Sequence, residues 1–278
     1  MSDKELYSSP LGQKTTYVET YNSSLLFPIS RGPKREDIGI NNQQLPFYGY
    51  DLWTAYELSW LNNKGKPVVA VADILIPCDS PNLIESKSLK LYLNSFNNSH
   101  FDSTETVVQT LVNDLSKSAG SPVNVTIFPP EHFSLSRIED MNGFCLDELD
   151  VRCDEYQVNS SLLTIEGESV VNDYSVYSHL LKSNCPVTGQ PDWGTLAITY
   201  SGPRINNDSL LKYIVSFRNH NEFHEQCVER IFTDLMTHCQ AKELCVYARY
   251  TRRGGLDINP IRSSSYIAPP RNIRLYRQ

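Results

Sequence analysis

Hydrophobic positions along this chain change period several times, and each change marks an element. From Trp53 to Ile76 the runs TAYELSWL and VVAVADILI flank NNKGKP, which predicts a β-hairpin turning at Asn-Lys-Gly. SLKLYLNSF (88–96) instead has helical spacing, with Leu89, Tyr92, Leu93 and Phe96 on one stripe. A second helix is expected over 103–118, where Val107, Val108, Leu111, Val112 and Leu115 share a face. Ser103 or Thr104 would cap it, with Glu105 in the first turn. VNVTIF (123–128) reads as a strand. The second half repeats this order: strands at VYSHLLKSN and GTLAITYSG, helices over 208–217 and 222–239, then a hairpin turning at Arg-Gly-Gly.

The repeat also shows residue by residue. SLKLYLNSFNN (88–98) aligns with SLLKYIVSFRN (209–219), and Asn-Asp-Leu (113–115) echoes Thr-Asp-Leu (233–235). Helices that follow one another, rather than crossing between strands, favour an α+β fold with antiparallel sheets and helices on one face. Residues 1 to about 50 are rich in Ser, Asn, Pro and Gln and read as an extended arm with short ordered pieces at most.

Composition narrows the function. The chain has 278 residues, 40% hydrophobic and 21% charged, which suits packed domains. Its formal charge of -7 argues against binding a nucleic acid backbone, though not against a small anion in a local basic pocket. We expect no secretory leader, because MSDKELYSSP has no apolar core. No membrane span is expected either, since the longest apolar run, 67–77, is short and contains Asp73. The 7 cysteines form no CxxC pair, so reduced thiols in a cytoplasmic protein fit better than disulfides or structural zinc. GxGxxG and GxxxxGK[ST] are both absent.

Four clusters could carry chemistry. SNCPVTGQPDWG (183–194) sets Cys185 among turn residues, whereas Cys78, Cys227 and Cys245 sit on apolar patterns and read as core. Cys185 is either a loop thiol of no consequence or a nucleophile, and Asp192 either a turn residue or a nearby proton donor. IESKSLK (84–90) reads as a helix start capped by Ser86 or Ser88 with Glu85 nearby. Two lysines at that position also suit a phosphate. HNEFHE (220–225) reads as a helix start capped by Asn221. His224 and Glu225 could instead grip a purine edge, and the His220–His224 spacing leaves a weak metal option. Arg249, Arg252, Arg253, Gly254 and Gly255 read as a charged hairpin turn or as a phosphate clamp.

Glu-Ser-Lys-Ser-x-Lys (85–90), Asn-Cys-Pro-Val-Thr-Gly-Gln-Pro-Asp-Trp-Gly (184–194), Phe-His-Glu (223–225) and Arg-Arg-Gly-Gly (252–255) together resemble the long form of the 7-cyano-7-deazaguanine reductases. That resemblance implies a tandem tunnelling fold of two ββααββ modules, 1–165 and 166–278, and a homodimer. It implies reduction of a nitrile to a primary amine in queuosine biosynthesis, with NADPH as co-substrate and no metal. Cys185 would attack the nitrile to form a covalent thioimide, and Asp192 would donate the proton. Ile84, Glu85, Ser86, His224 and Glu225 would line the base pocket; Ser86, Lys87, Arg253 and Gly254 would contact NADPH. A pterin-type cyclohydrolase or aldolase relative would need metal ligands or a lysine base. A purine-binding sensor would have no use for Cys185 with Asp192.

Overall fold

Alternating burial along residues 67–77 and a mostly buried run along 48–61 mark two long strands whose inward side chains need a cover, and helices supply it. The structure, a computed structural model, describes residues 17–135 and 137–278; the first sixteen residues of the expected arm lie outside these. The arm contains β1 (Pro28–Ser30) and α1 (Gly32–Glu36). The first unit follows as β2 (Tyr48–Leu61), β3 (Pro67–Pro77), β4 (Asn82–Ile84), α2 (Ser86–Asn94), α3 (Thr104–Ala119) and β5 (Asn124–Phe128). After β6 (Phe144–Cys145) come β7 (Ile165–Asn184), β8 (Pro191–Ile205), α4 (Asn207–Ser216), α5 (His224–Cys239), β9 (Glu243–Tyr250) and β10 (Leu256–Ser263).

One 8-stranded sheet runs through both units in the order β5-β3-β2-β10-β9-β8-β7-β6. Every pairing is antiparallel except β6 with β7. Strands β1 and β4 form a separate small ladder that ties the arm to the start of α2. The sheet's helix-facing side chains join two cores. Trp53, Ile74 and Ile76 pack with Leu89, Tyr92 and Leu111 in one; Ile198, Val246 and Ala248 pack with Tyr213, Phe217 and Ile231 in the other.

The duplication is visible in hydrogen bonds. Tyr92 Oη donates to Asp114 (2.7 Å) and Tyr213 Oη to Asp234 (2.6 Å). Ser95 and Ser216 each donate to the tyrosine carbonyl three residues back, at 2.6 Å. The identical turns Asn22-Ser-Ser-Leu and Asn159-Ser-Ser-Leu sit over them, with Asn22 N donating to Ser95 Oγ and Asn159 N to Ser216 Oγ. The repeat therefore reaches back into the arm.

In the first unit the helices are followed by β5, as the spacing predicts, and the other side of β2 is taken by β10. Three expectations change. Strand β7 begins eleven residues before the apolar run: its polar first part is held by backbone pairing to β8, with register shifts that absorb the irregularity. Neither Ser86 nor Ser88 caps α2; Glu85 does. Phe223, not Asn221, precedes α5, with Gln226 Oε1 accepting from its backbone N–H.

The β2–β10 seam joins the units and depends on Gly49. Its φ is +147°, and a Cβ there would stand 2.0 Å from the Ile261 carbonyl oxygen. Gly49→Ala is expected to cost at least about 2 kcal/mol, read as a lower midpoint in urea unfolding.

Candidate active site

The Cys185–Gln190 turn connects β7 to β8 because Pro186, Gly189 and Pro191 stop the ladder. Cys185 N donates to Gln190 O (2.9 Å) and Gly189 N to Cys185 O (3.0 Å). The turn is pinned to the residues before α5: Asn184 N donates to His220 O, and Glu222 N to Asn184 O. Cys185 is only 7% exposed, yet it belongs to neither hydrophobic core. It lines a cleft that opens between the two units.

The same cleft is lined by Ile84 at the end of β4, Ser86 at the start of α2, Asp192 on β8, His224 and Glu225 on α5, and Arg253 in the β9–β10 turn. Asp192 is therefore a strand residue, opposite Ser183 in register, rather than a turn residue. Its buried carboxylate accepts from Arg253, and His224 Nε2 lies 3.8 Å away. The His224 ring stands edge-on to Tyr250 at 4.0 Å. Burial, helped by Arg253 and Lys90 and opposed by Asp192, pushes His224 down to about 4, so it is neutral near pH 7. Burial and then the nearby Asp51 carboxylate push Glu225 up to about 7, against the pull of Arg31 and Arg262.

Glu85 is not among the side chains lining this cleft. Its carboxylate accepts from the backbone of Lys87 (2.6 Å) and Ser88 (2.8 Å), closing the N-terminus of α2. Burial raises its pKa, and those two donors oppose the rise. Lys87 also lies outside the lining. The expected arginine clamp is dispersed. Arg249 is buried against Gln278, Tyr247 and Asn272; Arg252 lies 4.8 Å over the Tyr56 ring; only Arg253 reaches the cleft.

Gly254 and Gly255 line a second cleft with Glu57 and Asn97. Both glycines are left-handed (φ +57° and +74°). A Cβ on Gly254 would stand 3.3 Å from Lys90, and one on Gly255 would overlap Glu57 at 2.4 Å. Lys90 lines both clefts; the sequence marked it, with Lys87, as a candidate for a phosphate, but the resemblance did not carry it into the site. Burial and the neighbouring Arg253 lower its pKa, while Glu85, Asp192 and Cys185 favour its charge. The signal was present, since Lys90 is the last residue of the ESKSxK run. The His220–His224 metal option also changes. His220 meets Glu222 (2.8 Å) and Cys227 instead, and Arg230 already engages both oxygens of Glu222.

Two family models match. One, described as nitrile reductase, 7-cyano-7-deazaguanine-reductase N-term, covers residues 17–127; the other, QueF-like protein, covers 191–268. The chain is 58% identical over 273 residues to the NADPH-dependent 7-cyano-7-deazaguanine reductase of Dechloromonas aromatica, covering 98% of this chain and 96% of that protein. It is 54% identical over 270 residues to the Polaromonas sp. protein of the same name, covering 97% and 98%. The corresponding protein of Chromobacterium violaceum is 52% identical over 270 residues, covering 97% and 96%.

Proposed function

The chain belongs to the 7-cyano-7-deazaguanine reductase family, and on that premise we propose that it reduces the nitrile of 7-cyano-7-deazaguanine to 7-aminomethyl-7-deazaguanine through a Cys185 thioimide. It is an oxidoreductase, a nitrile reductase that depends on NADPH. The reading extends to a place in queuosine biosynthesis and to a tandem tunnelling fold, with 1–165 and 166–278 as its modules. Among the described residues no helix is long and apolar enough to cross a membrane, and all seven thiols are free, which supports a cytoplasmic setting. The open edges at β5 and β6 support assembly with a second chain, since unpaired edges are ordinarily covered.

The single observation carrying the proposal is the convergence of Cys185, Asp192, His224 and Glu225 on one cleft. A nitrile carbon resists direct hydride addition, and sulfur addition turns it into a C=N group that a hydride can reach. Cys185 Sγ bonds to that carbon. The thiol proton passes to the Asp192 carboxylate and from there to the nitrile nitrogen as its charge develops. Once a hydride and a proton have been added across the thioimide C=N, the C–S bond can break: its electron pair returns to sulfur, a nitrogen proton is released, and an imine is left on the base. Arg253 holds the Asp192 carboxylate in place through the cycle.

Neutral His224 can donate to or accept from the base, and the Glu225 carboxylate can accept two of its N–H groups. Ile84 supplies an apolar wall beside Ser86. NADPH, when bound, supplies the two hydrides that take the thioimide carbon to the imine and then the amine. The second cleft fits such a co-substrate: bare glycine backbone sits against Lys90, whose buried charge an anion would stabilise. Ser86, Lys87, Arg253 and Gly254 are the residues proposed to meet it. Glu85 would act on the base after releasing its cap, or through the position of α2.

Mixing the protein with 7-cyano-7-deazaguanine alone should add the mass of one nitrile to the intact chain, with a new absorbance band. Asp192→Asn should slow adduct formation and turnover by about a hundredfold. Absence of any adduct in the unaltered protein would remove the mechanism.

A further inference from the structure

Beneath Glu225 lies a group of charges that the mechanism above does not use. Arg31 and Arg35 come from the arm, Asp51 from β2, Glu229 from α5 and Arg262 from β10, and all five are buried. Arg35 engages both oxygens of Glu229 (2.7 and 2.9 Å), and Arg262 reaches Glu229 and Asp51 at 2.8 Å each. Arg31 donates to Asp51 and, at 3.2 Å, to Ser80 Oγ. Three guanidinium groups thus face two carboxylates, which leaves one positive charge uncompensated.

Glu225 sits one helical turn before Glu229 on the same face of α5 and is 2% exposed. It brings a third buried carboxylate to within one helical turn of the cluster. It also lines the substrate cleft, so the cluster and the cleft share this side chain.

We propose that the arm-borne Arg31, acting with Arg262 and against Asp51, is a positioning residue that keeps Glu225 a carboxylate for the N–H edge of the bound base. This rests on the reading of Glu225 as the base-recognising group. The chemistry follows from charge. A carboxylate accepts two N–H donors; a carboxylic acid presents a donor of its own to that edge and weakens the grip. Desolvation pushes Glu225 toward the acid form, and Asp51 adds to that push. Arg31 and Arg262 oppose it. With Glu225 held near 7, the surrounding charges decide which form prevails at neutral pH.

Three of the groups around it are shifted out of that range by their surroundings. Glu229 is held down to about 2 by its arginines, against its burial. Burial pushes His224 down to about 4 and the Cys78 thiol, beside Arg262 and Asp51, up to about 11. Arg31, Arg35 and Arg262 remain cationic throughout. Lys90, Arg253 and Asp192 face the same cleft and are common to every variant below.

The test is equilibrium binding of 7-cyano-7-deazaguanine to the full chain by calorimetry, between roughly pH 5 and 9. Affinity should fall as pH drops through the Glu225 transition. Arg31→Met removes a stabilising cation, so the transition should move up by about one pH unit, roughly a tenfold loss of affinity on its acid side. Arg31→Lys keeps the charge and should keep the transition close to that of the unaltered chain. Asp51→Asn removes a repelling anion and should move it down. A merely structural role would weaken binding in all three without opposite shifts, and that pattern, or no shift at all, overturns the proposal. If Asp51→Asn fails to fold, the Met and Lys variants at Arg31 still decide it. Glu225→Gln separates the two levels. Loss of the pH transition there supports the base-recognition reading, whereas an unchanged transition removes that reading and this inference with it.

Discussion

Replacing Cys185 with alanine is expected to lower turnover by at least about a thousandfold and to abolish the covalent adduct, while base binding is largely kept. Without sulfur the cleft loses the thiol that converts the nitrile into a reducible C=N bond. Asp192 and His224 can move protons but cannot form that bond. Serine should fare little better, because a hydroxyl is far less acidic than a thiol and His224, held down to about 4, is too weak a base to make an alkoxide. The measurements are single-turnover rates with NADPH and the intact mass with the nitrile alone. Turnover within tenfold of the unaltered protein, or an adduct on the alanine variant, would place the nucleophile elsewhere.

Glu229→Ala is expected to destabilise the protein by about 3–5 kcal/mol. Glu229 is the hub that holds Arg35 of the arm and Arg262 of β10 to α5, and its removal leaves buried guanidinium groups without an anion. Chemical denaturation with and without the substitution measures the loss; a change under about 1 kcal/mol would mean that water or Asp51 replaces the carboxylate. The pH dependence has a definite sign. Glu229 is held down to about 2, below its ordinary value of 4.5, so its contribution is complete above that ordinary value. It is lost as pH falls from about 4.5 through about 2, and the alanine variant should lack this part of the acid transition.

Much of the architecture was legible because it follows from local periodicity. The stripe at Leu89, Tyr92 and Phe96 and its copy at Leu210, Tyr213 and Phe217 predict amphipathic helices whatever the rest of the chain does. The Asp-Leu echoes at 114 and 234 turned out to hold the acceptors of those two tyrosines. Turn chemistry located the β2–β3 and β9–β10 hairpins. Caps were less legible. Glu85 and Phe223 displaced the expected serines and Asn221, since cap choice depends on how the preceding strand enters the helix. The polar start of β7 was missed for a related reason: its partner, not its own pattern, makes it a strand.

In the site, Cys185 stood out because prolines and glycines around it deny it a place in a core. Ser86, His224, Glu225 and Arg253 were recognised from motifs, and all reach the cleft. Motifs could not show that Arg253 pairs with Asp192, that Glu85 folds back on its own helix, or that Lys90 borders both clefts. Nor could composition show why the arm carries Arg31 and Arg35, whose partners lie 20 residues away at Asp51 and 194 away at Glu229. The amino-acid sequence by itself determined the elements, the duplication and the reactive residue types, because periodicity, turn residues and side-chain chemistry are local properties. Only the tertiary structure decided which charges face one another, because a buried ion pair depends on distance and desolvation, and both are set when chain segments far apart in sequence close over the same space.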